Sequence, residues 1–271
     1  MKSIEEARIE TAQEILDESE ARDPVKTYCL FSGGHDSLVA THVAHELSDP
    51  DGVVHINTGI GIPETRTFVR DTCEAQDWNL IEKETEHEYE DLVLEHGFPG
   101  PQAHRYAYTT LKERAIDALL REAKESREQE VVFLTGVRRS ESRNRMGSAD
   151  VINKRGSQVW AAPIIYWDAL DVTRWIRDHD IERSPVVDKL HMSGECLCGA
   201  FATRGEFEQI EMFYPEVAER IERLEDEARN KDMERCRWGW ANRRQGGESD
   251  DATDYFMPLC KDCEAADDAE Q

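Results

Sequence analysis

Ser32-Gly33-Gly34-His35-Asp36-Ser37 packs two glycines, two hydroxyls and a carboxylate into six consecutive residues. Glycine permits positive φ and lets another group come close to the backbone. Such a run at the start of a helix aims N–H groups at one point, and the helix dipole favours negative charge there. Ser32 and Ser37 add hydroxyl donors, and Asp36 could hold a Mg2+ ion bridging phosphates. The chemistry expected is phosphate binding. Neither G-x-x-x-x-G-K-[ST] nor G-x-G-x-x-G fits these residues, so the run is neither a Walker loop nor a dinucleotide fingerprint. The bland alternative is a tight strand-to-helix turn with Asp36 as its cap. His35, at the variable position, is expected to face solvent.

The cysteines form a second group. Seven are present, at 29, 73, 196, 198, 236, 260 and 263. Their odd number, without an export signal, argues against a disulfide framework. Cys196 and Cys198 form C-x-C, and Cys260 and Cys263 form C-x-x-C. Two thiolates of a C-x-x-C can turn to one ion, and a second pair completes four ligands. Four soft thiolates suit Zn2+ or an iron–sulfur cluster. The pool is Cys196, Cys198, Cys236, Cys260 and Cys263, four of which would bind. The fifth would be a free thiol for redox or sulfur chemistry, given a lowered pKa. Cys29 lies inside the first strand and Cys73 inside a helix, and both read as buried small hydrophobes. Trp238 and Trp240 read as packing around the cysteine site.

These residues need elements to position them. Residues 3–20 carry a capping box, Ser3 and Glu6, ahead of a one-sided apolar stripe, which predicts a helix. The short run 26–31 predicts a strand, and helical spacing resumes after Ser37. Strand 53–57, helix 63–76, strand 79–83, helix 106–127 and strand 130–135 follow. A polar loop at 138–156 holds Arg138, Arg139 and Arg145. The run VWAAPII (159–165) reads as a strand and 168–179 as a helix. Strands alternating with helices predict an α/β fold with a doubly wound, mostly parallel sheet. From about 191 the alternation stops. The expected organisation is an N-terminal helix (1–24), an α/β phosphate-binding domain (25–190) and a cysteine-rich appendage with an acidic tail (191–271).

Composition narrows the function. The chain has 271 residues, 58 acidic against 33 basic, and a formal charge of -25. This argues against sequence-independent nucleic-acid binding, which needs a basic footprint, and leaves room for a local basic groove. An acidic surface with only 9 Lys suits high salt, where self-repulsion is screened, and suggests a halophilic source. Three arginines within eight residues stand out in such a chain. No apolar run reaches 18 residues and the N-terminus has no apolar signal core, so a cytoplasmic protein without membrane contact is expected.

SGGHDS resembles the S-G-G-x-D-S loop of PP-loop adenine nucleotide alpha hydrolases. More narrowly, the chain resembles the phosphoadenosine phosphosulfate (PAPS) reductase family. Collinear support comes from HINTGIGIPET (55–65), GFPGPQAHRYAYTTLKERA (97–115), TGVRRSESRNR (135–145) and PIIYWDALDVTRWI (163–176). The resemblance spans about residues 25 to 190. It implies an adenine nucleotide, ATP or PAPS (or its unphosphorylated analogue APS), with Mg2+ on its phosphates. It makes Lys112, Arg138, Arg139 and Arg145 candidate catalytic partners for phosphate or sulfate oxygens, Arg as a fork and Lys as a point charge. Resemblance to sulfur-transferring relatives favours a [4Fe–4S] cluster over Zn2+. The partners implied are the nucleotide, a sulfur or electron donor protein, and nucleic acid as one candidate sulfur acceptor.

The chain also departs from the family pattern. Asn57 stands where Asp is common. E-C-L-C-G (195–199) lacks the histidine of E-C-G-x-H, and no Cys-Cys pair exists. The expected activity is therefore either reduction of activated sulfate or sulfur transfer linked to ATP pyrophosphatase chemistry. A non-catalytic nucleotide- or partner-binding module of the same fold is the alternative.

Overall fold

The computed structural model describes residues 3–85, 88–141, 150–203 and 205–243. They fall into two compact units. The first gathers Met1–Ile56, Thr65–Lys83 and Ile116–Pro185. Its sheet draws on β1 (Lys26–Leu30), β2 (Gly52–Asn57), β3 (Leu80–Glu84), β4 (Val131–Leu134), β5 (Ile152–Arg155) and β6 (Gln158–Ala161). The spatial order is β3-β2-β1-β4-β6-β5. β1 runs parallel to β2 and β4, and β4 parallel to β6, while β5 is antiparallel to β6.

Strand periodicity of two sorts the side chains to the two faces. Cys29, Val132, Leu134, Val159 and Ala161 enter one apolar cluster. Tyr28, Phe133 and Val131 enter another, with Trp160 packed against it. The first face is covered by α1 (Ile4–Glu20), α2 (His35–Leu47), α3 (Pro63–Ala75) and α7 (Ala169–Asp178), through residues such as Leu16, Val39, Phe68 and Trp175. The second is covered by α6 (Arg114–Ala123) through Ile116 and Leu119. Helices on both faces of a mostly parallel sheet make the expected doubly wound α/β fold.

One local expectation fails. The stretch 138–156 was predicted to be loop throughout, but its end forms β5, paired with β6. Gly156, at φ +61, is the first of two turn residues, where a tight hairpin turn needs a positive φ. The expected strand 159–165 correspondingly ends at Ala161.

The second unit gathers Asn57–Glu64, Glu84–Ala115 and Val186–Gln271. Its described part contains α4 (Tyr89–His96), α5 (His104–Tyr108), a π-helical turn at Thr109–Glu113, α8 (Pro185–Leu190), α9 (Glu206–Phe213), α10 (Pro215–Asn230) and α11 (Trp240–Arg243). Tyr89, Phe98, Leu111, Leu197, Ile210, Ile221 and Trp238 share its core. Among the described residues no helix is long and apolar enough to cross a membrane.

Candidate functional site

β1 and β4 are neighbours although about 100 residues of chain separate them, so the strand order reverses between them. Open α/β sheets bind ligands outside the carboxyl ends of the strands at such a switch point. The turn 31–34 leaves β1 there, and the segment 135–141 leaves β4.

In the β1 turn, Gly33 has φ +80, and a Cβ on it would lie 2.5 Å from Thr65 Cγ2. Glycine is required on both counts. Gly34 is the N-cap of α2 with φ -80 and ψ 154, an ordinary extended conformation. Of the two glycines, Gly33 uses the positive φ that glycine permits and Gly34 does not. As N-cap, Gly34 makes no side-chain hydrogen bond to the first turn. Asp36 is not the cap; it lies within that first turn.

The two serines brace the turn. The Ser37 hydroxyl donates to Gly34 O at 2.9 Å and accepts from Ser32 N–H at 3.2 Å. It lies 3.1 Å from Ser32 Oγ. His55, fully buried on β2, holds the preceding residue: its Nδ1 lies 2.8 Å from Phe31 O, and only the ring nitrogen can donate. His35 does not face open solvent as expected. It is half-buried, and its Nε2 accepts from Ser184 N–H at 3.2 Å.

From β4, Gly136 lies directly against this turn. A Cβ there would sit 2.5 Å from Ser37 N and 2.6 Å from Asp36 C. Two stretches of backbone touch, so no side chain fits between them. Two residues on, the Arg138 guanidinium grips Asp36, Nη2 to Oδ2 and Nε to Oδ1, both at 2.9 Å. Arg138 is only 9% exposed, and its Nη1 also donates to Ser140 Oγ at 3.1 Å. One hydrogen bond from Nη2 and the close charge contact of Nε beside it hold the pair. Both Asp36 oxygens lie close to the guanidinium. Arg139 turns elsewhere: its guanidinium lies 4.8 Å over the Tyr166 ring.

The structure therefore assembles Ser32, Gly33, Gly34, Asp36, Ser37 and Arg138 around one turn. Lys112 lies on the π-helical turn of the second unit, half-buried. Arg145 lies outside the described residues. Gly136 and His55 were missed as site residues. TGVRR was visible in the sequence, but the contact of Gly136 with Asp36 and Ser37 depends on strand adjacency.

In the second unit Cys196 and Cys198 lie within the apolar core, and Cys236 is half-buried against it. Cys198 is 1% exposed. Tyr89 OH donates to Cys198 O at 2.7 Å, and Trp238 Nε1 to Leu197 O at 2.6 Å. Trp238 thus packs on the cysteine segment as expected, and Trp240 packs against the same core while donating to Phe98 O at 2.9 Å. Burial pushes the Glu206 carboxyl up to about 7, against the hydrogen bonds from Thr203 and with a smaller push from Cys198. Burial likewise pushes the Cys29 thiol up, and Cys73 to about 12, so both stay inert as expected. Among the described residues no three His, Cys, Asp or Glu side chains are grouped to hold a metal ion. Cys260 and Cys263, half of the expected ligand set, lie outside those residues.

A doubly wound sheet with a glycine-serine turn at its switch point defines the class, the adenine nucleotide alpha hydrolase-like fold. The chain belongs to the phosphoadenosine phosphosulfate reductase domain family, whose model matches residues 26–212. It is 29% identical over 198 residues to an uncharacterized protein of Methanocaldococcus jannaschii, covering 71% of this chain and 46% of that one. The chain thus spans about half the length of that curated relative. It is 29% identical over 175 residues to an adenosine 5'-phosphosulfate reductase of Streptomyces coelicolor, covering 62% and 69%. Its fold matches the crystal structure of a PAPS reductase from Candida auris, solved with phosphate, at TM-score 0.51 and 19% identity, covering 65% and 83%.

Proposed function

We propose that this chain is an enzyme that binds an adenine nucleotide with its phosphates at the 32–37 turn and acts on activated sulfur. The observation that carries the reading is the turn itself: Gly33 at positive φ, a glycine N-cap, and Arg138 fixed beside it at the sheet's switch point. The first amides of a helix have no partner within the helix and suit an anion. Mg2+ enters with the phosphates. The named reductase relative supports reduction of APS or PAPS. The burial of Cys196 and Cys198, against the accessible thiolate that reduction needs, supports the second chemistry, cleavage of ATP linked to sulfur transfer. Four of Cys196, Cys198, Cys236, Cys260 and Cys263 are proposed to hold a [4Fe–4S] cluster or Zn2+.

Anaerobically purified protein should be assayed with ATP, APS and PAPS in parallel, alongside iron, zinc and sulfide analysis. Sulfite from APS or PAPS marks a reductase, and AMP with pyrophosphate marks the ATP-linked reaction. Binding of none of the three refutes the reading. Loss of metal from a Cys260→Ser/Cys263→Ser variant supports the ligand set. Within the site, Arg138→Ala is expected to lower turnover at least tenfold, about 1.4 kcal/mol of transition-state stabilisation, with a smaller loss of nucleotide affinity. Equal loss in both would mark Arg138 as only a brace for Asp36.

A further inference from the structure

The loop after β2 is held by chain that follows it more than 130 residues later. Glu195 Oε1 accepts Thr58 N–H at 2.8 Å, and Glu195 O accepts the Thr58 hydroxyl at 2.6 Å. Gly194 O accepts Ile62 N–H at 2.8 Å. Arg220 Nη1 donates to Gly59 O at 2.7 Å while its Nε holds Glu90 at 2.7 Å. A Cβ on Gly61 would lie 2.8 Å from Glu195 O, so the two backbones touch. All these residues belong to the second unit. Glu195 is 3% exposed and directly precedes Cys196.

Within the loop, Asn57 Oδ1 accepts Gly59 N–H at 3.0 Å. Two consecutive amides, 58 and 59, are therefore each held by a side-chain oxygen, one from a buried carboxylate and one from a neutral amide. An aspartate at 57 would set a second negative charge on the amide next to the one that Glu195 holds, and like charges repel.

We propose that Glu195 is a positioning residue that clamps the 57–62 loop onto the Cys196-bearing segment, and that Asn57 is the neutral partner this carboxylate requires. The clamp keeps Cys196 in its buried setting, and releasing it exposes the thiol. The role in sulfur chemistry rests on the function proposed above; the clamp itself does not.

The test uses the full chain carrying Glu195→Gln, Glu195→Ala, Asn57→Asp, or Asn57→Asp with Glu195→Gln. The measurements are amide hydrogen exchange over residues 58–62, site-resolved alkylation of Cys196 by iodoacetamide, and kcat and KM on whichever nucleotide the wild type turns over. Gln retains an oxygen for the Thr58 amide, so Glu195→Gln should stay within about threefold of wild type. Glu195→Ala and Asn57→Asp should each exchange and alkylate at least about tenfold faster, with kcat falling and KM little changed. The double variant should return toward wild type, which loss of a purely structural contact would not do. Should Glu195→Ala fail to fold, the Asn57→Asp pair decides. The clamp is overturned if Asn57→Asp matches wild type or if Glu195→Gln fails to rescue it. A wild type without turnover would sink the function proposed above and leave exchange and alkylation to judge the clamp.

Discussion

At the scale of single residues, the turn depends on two glycines for different reasons. Gly33 needs its positive φ, while Gly136 needs to lack a side chain because backbone atoms of Asp36 and Ser37 fill the space. A flexible side chain could move aside, but this backbone is fixed by the Ser32–Ser37 brace. Gly136→Ala is expected to cost about 1–3 kcal/mol of stability, as overpacking does. Because the displaced atoms include the first-turn amides, nucleotide affinity should fall about tenfold or more. Denaturant unfolding and nucleotide titration check this, and an unchanged affinity would remove the turn from the binding site. SGGHDS was legible because its properties are local. Asp36 and Arg138, 102 residues apart, were each visible as chemistry-bearing side chains. That they would hold each other was not, since it follows from β1 and β4 lying side by side.

At the scale of elements, α2 and α7 meet through a histidine–tryptophan cluster. Trp175 Nε1 donates to His42 Nδ1 at 3.3 Å, and His179 at the end of α7 lies 5.2 Å from His42, ring to ring. His45 stacks on Trp78. Burial lowers the His42 pKa, with His179 and His45 pushing the same way and Glu46 opposing. Burial also lowers that of His45, against its Thr41 carbonyl bond and Asp49. Their folded pKa values lie below the unfolded 6.5, so the unfolded chain binds more protons in between. Their contribution is present above about pH 6.5 and lost as pH falls through the folded values. Wild type should therefore lose more stability from pH 7.5 to 5 than His42→Asn, which keeps an acceptor for Trp175. Parallel slopes in urea unfolding would contradict this. The same scale explains why β5 was overlooked. Its residues Ile152–Arg155 are mostly polar, as suits a sheet edge that must not invite further strands. Hydrophobic alternation is weak there, although Gly156 marks the turn.

At the scale of the molecule, the net charge of -25 opposes compaction at low ionic strength. Salt shortens the reach of that repulsion from about 30 Å at 0.01 M to about 3 Å at 1 M. The melting temperature should rise as KCl is raised from 0.05 to 1 M, even though surface pairs such as Lys26–Asp51 weaken. A falling melting temperature would show that such pairs outweigh the repulsion.

The sequence by itself determined the alternation of strands and helices, the glycine-serine turn and the family, because each rests on neighbours along the chain or on collinear motifs. Only the tertiary structure decided which distant segments close together. Residues 57–64 and 84–115 share an apolar core with residues beyond 186, with Ile62, Leu111 and Leu197 buried in it. The apolar pattern of a segment states that it must be buried, but not against what. Hydrophobic burial is non-directional. The partner is selected by hydrogen bonds and close backbone contacts, such as Thr58 on Glu195 and Gly136 on Ser37, that exist only once the chain has folded.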